Sequence, residues 1–393
     1  MTTTIIIIIC LIFLTAYFFD LTSSRTRIPS VILLLLFGWG IKQLFVFLKI
    51  EIPSLTTVLP VLGTIGLILI VLEGSLELEL NKKKLPIIGK SIIVSLLPML
   101  ILSFIIAFLF QYVGQFSFKD SLINAIPFCI ISSAIAIPSV KNLPKSNSEF
   151  IIYESSLSDI FGIIIFNFIA LNETINTHSF INFTIQILII VIVSFIATIG
   201  LSILLSKSKH HIKFVPIILF VILIYATSKV YHLPGLVFVL LFGLFIGNID
   251  EFKQFKWLKI FDTENLNTEV QKFKNIVIEA TFLIRTLFFV LFGYLIETAE
   301  ILNTETLVWS IGIVAGIFIV RFIFLKFTKL PVTPLLYIAP RGLITILLFL
   351  AIAPSQSISF VNKSLIIQVI IITSLVMMIG IMQTKEIKDR KTL

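Results

Sequence analysis

The sequence predicts an all-α polytopic membrane protein of about thirteen transmembrane helices, built as two inverted-topology repeats with two crossed, broken helices. Three observations carry that reading. Hydrophobic residues make up 58% of the 393 and charged ones 13%, with a mean hydropathy of +1.11, a composition no water-soluble chain of this length could keep in solution. Apolar runs long enough for a hydrocarbon core of about 30 Å follow one another along the whole chain. A stretch from the first half also recurs in the second with its proline and glycine at the same spacing.

In chain order the runs fall at 3–20, 28–48, 55–76, 86–112, 121–140, 150–171, 181–205, 214–230, 233–249, 275–297, 305–325, 332–354 and 363–384. The first has no basic leading region, and Phe18-Phe19-Asp20 is no small-residue cleavage site, so it reads as a spanning helix and not a secretion signal. Residues 1–393 form a single transmembrane domain on this reading: repeat one over 3–171, a linker helix over 181–205 and repeat two over 214–384. The longest polar stretch, Asp250 to Lys274, reads as a surface helix or loop, and no soluble domain fits.

The formal charge of +9 does not point to nucleic acid, because the basic residues collect on alternate loops. Arg25 and Arg27, Lys82 to Lys84, Lys141 and Lys145, Lys207, Lys209 and Lys213, Lys253 to Lys274, Lys326 and Lys329, and the tail from Lys385 share one side. The other side holds Lys49, Lys119, Lys229 and Lys363, together with Glu297, Glu300 and Glu305. By the positive-inside rule the N-terminus is outside and the C-terminus cytoplasmic, in the cell's inner (plasma) membrane. Cys10 and Cys129 lie in different apolar runs, and His178, His210, His211 and His232 sit in or beside loops, so neither set makes a metal site. No cofactor is expected.

The internal repeat pairs Arg27-Ile-Pro29 through Leu35-Leu36-Phe37-Gly38 with His232-Leu-Pro234 through Leu240-Leu241-Phe242-Gly243. The next span repeats too, Val71-Leu72-Glu73-Gly74-Ser75-Leu76 against Val290-Leu291-Phe292-Gly293-Tyr294-Leu295. Each partner lies an odd number of spans later, which turns the second copy upside down in the bilayer. Inverted repeats of this kind build secondary transporters, with the site at the midplane. The fifth run carries Pro127, Ser132, Ser133 and Pro138, and the twelfth carries Pro334 and Pro340-Arg341-Gly342, so both are expected to break where the freed backbone groups line a cavity or find internal partners. Arg341, a guanidinium at membrane depth, needs a carboxylate or helix carbonyls beside it.

A carboxylate within a spanning helix is read first as an ion or proton site, and Asp159 is that carboxylate. Ser155 and Ser156, four and three residues before it, share its helix face. Hydroxyl, carbonyl and carboxylate oxygens are the ligands a dehydrated alkali cation takes, so the candidate ligands are Asp159 with Ser155, Ser158, Ser132 and Ser133. Glu154 points elsewhere, and its expected job is to neutralise an intramembrane arginine such as Arg285.

These residues also carry a resemblance. Glu154-Ser-Ser-Leu-Ser158-Asp159-Ile-Phe-Gly162 is similar to the Glu-Ser-Leu-x-Asn-Asp-x-x-Gly stretch of the monovalent cation:proton antiporter-1 family, the bacterial and archaeal sodium/proton antiporters. Arg285-Thr-Leu-Phe-Phe-Val-Leu-Phe-Gly293 resembles that family's Arg-x-x-Phe-Phe-Val-x-x-Gly helix, Pro340-Arg341-Gly342 its Arg-Gly motif, and Leu72 to Glu77 its third-span ending. The matches run from Arg27 to Arg341 in family order. The resemblance implies a homodimer in the lipid bilayer in which a core bundle moves against a dimerisation bundle, with Asp159 binding the transported sodium. Two positions depart from the family: Ser158 stands where it has Asn, and Ser132-Ser133-Ala134 replaces its Thr-Asp-Pro, closer to the Ser-Ser-Thr of the sister antiporter-2 branch. Sodium, potassium and lithium all stay open as substrates.

One carboxylate that either a proton or a cation can neutralise makes the two compete, so the expected activity is electroneutral one-for-one exchange by alternating access. An aspartyl protease would need a second intramembrane aspartate, and none is present. A channel would show rapid uncoupled flux. A sodium-coupled organic-anion carrier of related fold and a potassium/proton antiporter are the alternatives. The chain after Gln383 lacks the nucleotide-binding extension expected of ligand-gated potassium efflux systems.

Overall fold

The computed structural model describes residues 2–26, 28–49, 57–80, 82–140, 143–172, 176–207, 212–250 and 263–383. Every regular element among them is helical: α1 Thr2–Thr26, α2 Ser30–Phe47, α3 Val58–Glu77, α4 Leu85–Gly114, α5 Phe118–Cys129, α6 Ser133–Ser139, α7 Lys145–Leu171, α8 Thr177–Lys207, α9 Phe214–Val230, α10 Gly235–Gly247, α11 Thr263–Tyr294, α12 Thr298–Ile301, α13 Thr304–Phe327, α14 Leu343–Ala351 and α15 Lys363–Gln383. Among the described residues nine helical segments are long and apolar enough to cross a membrane, the α5–α6 pair counting as one, and Ile6–Thr22, α9 and α10 are shorter apolar helices. With the segment that ends in α14, each run read from the sequence holds helix. The basic residues Arg27, Lys141, Lys209 and those of 251–262 and 384–393, with His210 and His211, lie outside the described residues, as does the first half of the polar stretch after Asp250.

The chain packs into two compact units. The first comprises Met1–Leu62, Lys90–Gly162 and Arg285–Leu393, and the second Gly63–Gly89 and Ile163–Ile284. In the first unit α1 packs on α2, α13 on α15, and α14 on α5. In the second, α10 packs on α8 and α9. Lipid offers no hydrophobic drive between helices, so close association depends on small residues that let backbones meet.

The repeated glycines perform that task in both copies. In the first unit a Cβ on Gly38 of α2 would strike the Val290 carbonyl of α11 and lie 2.9 Å from the Tyr294 nitrogen, while one on Gly293 would strike the Leu35 carbonyl. In the second unit a Cβ on Gly243 of α10 would strike Ser75 of α3 and lie 3.3 Å from the Leu72 carbonyl. Ser75 and Tyr294 occupy the same place in the sequence repeat, as do Gly38 and Gly243. The same helix-on-helix contact is therefore built once in each unit from equivalent residues, which ties the repeat in the sequence to a repeat in packing.

Gly293→Val is expected to lower stability by about 1–3 kcal/mol through overpacking. Thermal unfolding of the detergent-purified variant against wild type measures it, and an unchanged midpoint contradicts the backbone-contact role.

Candidate functional site

The site grows from two interruptions in helices. Ser117 caps α5, its hydroxyl accepting from the Asp120 N–H at 3.0 Å, and the helix runs through Pro127 to Cys129. Pro127 has no N–H to continue the ladder, and serines at 132 and 133 offer the backbone competing hydrogen bonds. Residues 130–132 are extended before α6 begins at Ser133. The second interruption is longer: a single 3-10 turn at Leu335–Tyr337, then a non-helical stretch through Pro340, Arg341 and Gly342 to the start of α14.

Backbone polar groups freed at membrane depth need internal partners, and these can be named one by one. The Ser132 N–H donates to the Pro340 carbonyl at 2.9 Å, so the two interruptions cross in direct contact. The Ile131 N–H donates to the Ser158 hydroxyl at 3.0 Å. The carbonyls of Phe128 and Cys129, at the end of α5, accept from Arg341 Nε and Nη2 at 2.7 and 3.3 Å. Arg341 Nη1 donates to Ala339 at 2.7 Å, and its backbone N–H donates to Thr373 on α15 at 3.1 Å. Arg341 is 2% exposed. It thus meets the expectation of helix carbonyls beside a buried guanidinium, at the negative end of a half-helix.

Asp159 is fully buried on α7, and its Oδ2 accepts a hydrogen bond from the Ser133 hydroxyl. Its Oδ1 is buried without a hydrogen-bond partner, and so are the hydroxyls of Ser132 and Ser156. Orphaned buried oxygens are rare in folded proteins. Three of them fall on Asp159, on the residue one turn before it and on the residue beside its Ser133 partner, and give this region unsatisfied acceptor capacity. Two glycines permit the close approach here. A Cβ on Gly162 would strike Ile130, and one on Gly342 would lie 2.9 Å from the Ser132 hydroxyl and 2.6 Å from Ile135.

The candidate serines therefore part company. Ser133 engages the carboxylate, and Ser132 and Ser156 keep free hydroxyls. Ser158 braces the break through Ile131, and Ser155 donates to its own helix at the Ile151 carbonyl, 2.7 Å. Chemically the arrangement can hold one proton on Asp159, or one small cation between carboxylate and hydroxyl oxygens. Among the described residues no cluster of His, Cys, Asp and Glu forms a metal site.

The pairing expected for Glu154 is corrected. Glu154 is fully buried and forms a two-pronged ion pair with Arg321 of α13, Nη1 to Oε1 at 2.5 Å and Nη2 to Oε2 at 2.9 Å. Arg321 Nε also donates to the Leu335 carbonyl at 2.8 Å, which fixes the turn ahead of the second break. Arg285 is half-buried with no ion pair to a described residue. The sequence did hold a signal: Arg321 is the lone charge between Glu305 and Lys326, inside an apolar run.

Helical membrane segments, two of them broken and crossing beside a buried carboxylate, define a transporter fold and not an enzyme. The profile described as "Sodium/hydrogen exchanger, transmembrane" matches residues 8–384, and the chain belongs to that family. Among solved structures it is similar to the sodium proton antiporter MjNhaP1 from Methanocaldococcus jannaschii at pH 8, with a TM-score of 0.71 and 18% identity over 97% of this chain and 96% of that one. An electron-microscopy structure of the same antiporter gives a TM-score of 0.69 and 19% identity over 97% and 95%. At such identity the likeness establishes the fold. No curated protein sequence matches the chain.

Leaving one member of a buried ion pair uncompensated costs about 3–5 kcal/mol. Glu154→Gln and Arg321→Met should each lower the unfolding midpoint sharply, whereas Arg285→Ala should leave it near wild type. Side-by-side thermal unfolding of the three variants decides, and a destabilised Arg285→Ala with an intact Arg321→Met reverses the assignment.

Proposed function

We propose that the protein exchanges one monovalent cation, sodium in the first place, for one proton by alternating access, with Asp159 as the shared binding group. The observation that carries this reading is the orphaned Oδ1 of Asp159, with the Ser133 hydroxyl on its other carboxylate oxygen and unpartnered hydroxyls on the neighbouring residues Ser132 and Ser156 of the break and the helix. Family membership and the carboxylate at the crossing of the interrupted helices support it.

Exchange follows from charge. An ionised Asp159 without a partner is expensive to carry through an apolar barrier. A proton or a cation neutralises it, and each excludes the other from the same oxygen. Only the loaded forms then cross, so the two flows are coupled and leak is suppressed. Ser132, Ser133 and Ser156 replace part of the cation's hydration shell, while Ser155 and Ser158 stay with their backbone partners. The proposal also places the protein as a homodimer in the inner membrane, N-terminus outside and C-terminus cytoplasmic, in keeping with the basic residues on alternate loops. Because Glu154 is held by Arg321, a single carboxylate takes part in transport, and the exchange is electroneutral.

In proteoliposomes with an imposed proton gradient, Asp159→Asn should reduce sodium-driven proton flux to the protein-free background while the purified variant keeps its unfolding midpoint. Robust exchange by that variant refutes the assignment. For wild type, setting the membrane potential with a potassium ionophore should leave the sodium/proton equilibrium unmoved. An exchanger carrying one net charge would shift by about 2.3 kcal/mol per 100 mV, and such a shift would rule out one-for-one stoichiometry.

A further inference from the structure

The first unit contains a second place where charge and space do not match. Its buried charged side chains, among the described residues, are Glu154, Asp159, Arg321 and Arg341. With Asp159 ionised the two signs balance. Once a proton or a cation neutralises Asp159, as the proposed function requires, one arginine is left without a counter-charge in a low-dielectric interior, where an uncompensated charge is costly. Glu154 is committed to Arg321 through both oxygens, so the uncompensated one is Arg341, whose guanidinium meets backbone carbonyls and no carboxylate.

Beside it lies a cavity of about 20 Å³, lined by Arg341 and Arg321 together with Ser95, Cys129, Ile131 and Ala339, and by no carboxylate. One water-sized particle needs about 10–15 Å³ by the same measure, so the space suits a single small ion or one water. Each guanidinium has five N–H donors. Three on Arg321 and three on Arg341 are engaged, which leaves two on each for an occupant. A cavity bounded by two buried cations with spare donors, next to an arginine that lacks a counter-ion, is suited to an acceptor that carries negative charge.

We propose that the protein binds one monovalent inorganic anion of chloride's size in the cavity between Arg321 and Arg341. The anion compensates Arg341 when Asp159 is loaded, and it opposes the ionised, empty Asp159 by like charge. Anion binding and loading of the transport site therefore strengthen each other, and by linkage the coupling is reciprocal. The transport consequence rests on the reading of Asp159 given above, whereas binding of the anion does not.

The test uses the full chain and replaces chloride by gluconate, too large for the cavity, at constant sodium and ionic strength. In detergent, the wild-type unfolding midpoint should rise with chloride concentration and not with gluconate, and bromide-soaked crystals should show an anomalous peak between Arg321 and Arg341. In proteoliposomes, the sodium concentration for half-maximal exchange should be lower in chloride by about fivefold or more, the lower end of usual coupling. Ser95→Leu and Leu102→Phe, which fill the cavity from α4, should each abolish the difference between anions while exchange in gluconate persists; the second variant stands in if the first fails to fold. Identical behaviour in the two anions, no bromide peak, or an anion effect that survives both fillings overturns the site in favour of a water. Chloride stabilisation without any exchange keeps the anion site and rejects the exchanger reading, and exchange without an anion effect does the reverse.

Discussion

The contact on which this architecture rests is Arg341 against the end of α5. Interrupting a helix inside a membrane strands carbonyls that lipid cannot solvate, at several kcal/mol each. The Arg341 guanidinium closes the carbonyls of Phe128 and Cys129, and the Ser132–Pro340 backbone bond joins the two interrupted segments. Each break thereby supplies what the other lacks. The first has surplus acceptors and the second brings a cation. Neither interruption is tolerable alone, which explains why the non-helical residues 130–132 and 338–342 occur together and in contact.

From that crossing the placement of the carboxylate site follows. With Ser132 held by Pro340 and Ile131 held by Ser158, Ser133 has little choice but to present its hydroxyl to Asp159. Helix α7 divides its labour over a little more than two turns. Glu154 anchors α13 through Arg321, Ser158 braces the break, Asp159 carries the unsatisfied oxygen, and Gly162 makes room for Ile130. The ion pair that stabilises the assembly is thus kept apart from the carboxylate that must change partners, although both sit on one helix.

Much of this was legible in the linear chain because a bilayer turns composition into geometry. The apolar runs, the repeat around Gly38 and Gly243, the two proline-bearing spans and the exceptional Asp159 all came from the cost of placing polar groups in hydrocarbon, a cost that acts on each residue separately. Arg341 was read as needing a carboxylate or helix carbonyls for the same reason, and it is carbonyls that it meets. Pairings between distant segments were another matter. Glu154 was matched to Arg285, yet Arg321 holds it, because an ion pair depends on which helices face each other and not on which motifs stand out.

The amino-acid order alone thus determined that the chain lies in a membrane, where its helices run, which of them break, and that one carboxylate has no business in lipid unless it handles an ion or a proton. Only the folded arrangement decided that Ser133 reaches that carboxylate while Ser155 and Ser158 turn to backbone partners, and that two arginines line one cavity. The reason is one of range. Solvation penalties are local to a residue and can be read one letter at a time, whereas hydrogen bonds at a few ångströms depend on the register of segments as many as 259 positions apart in the chain.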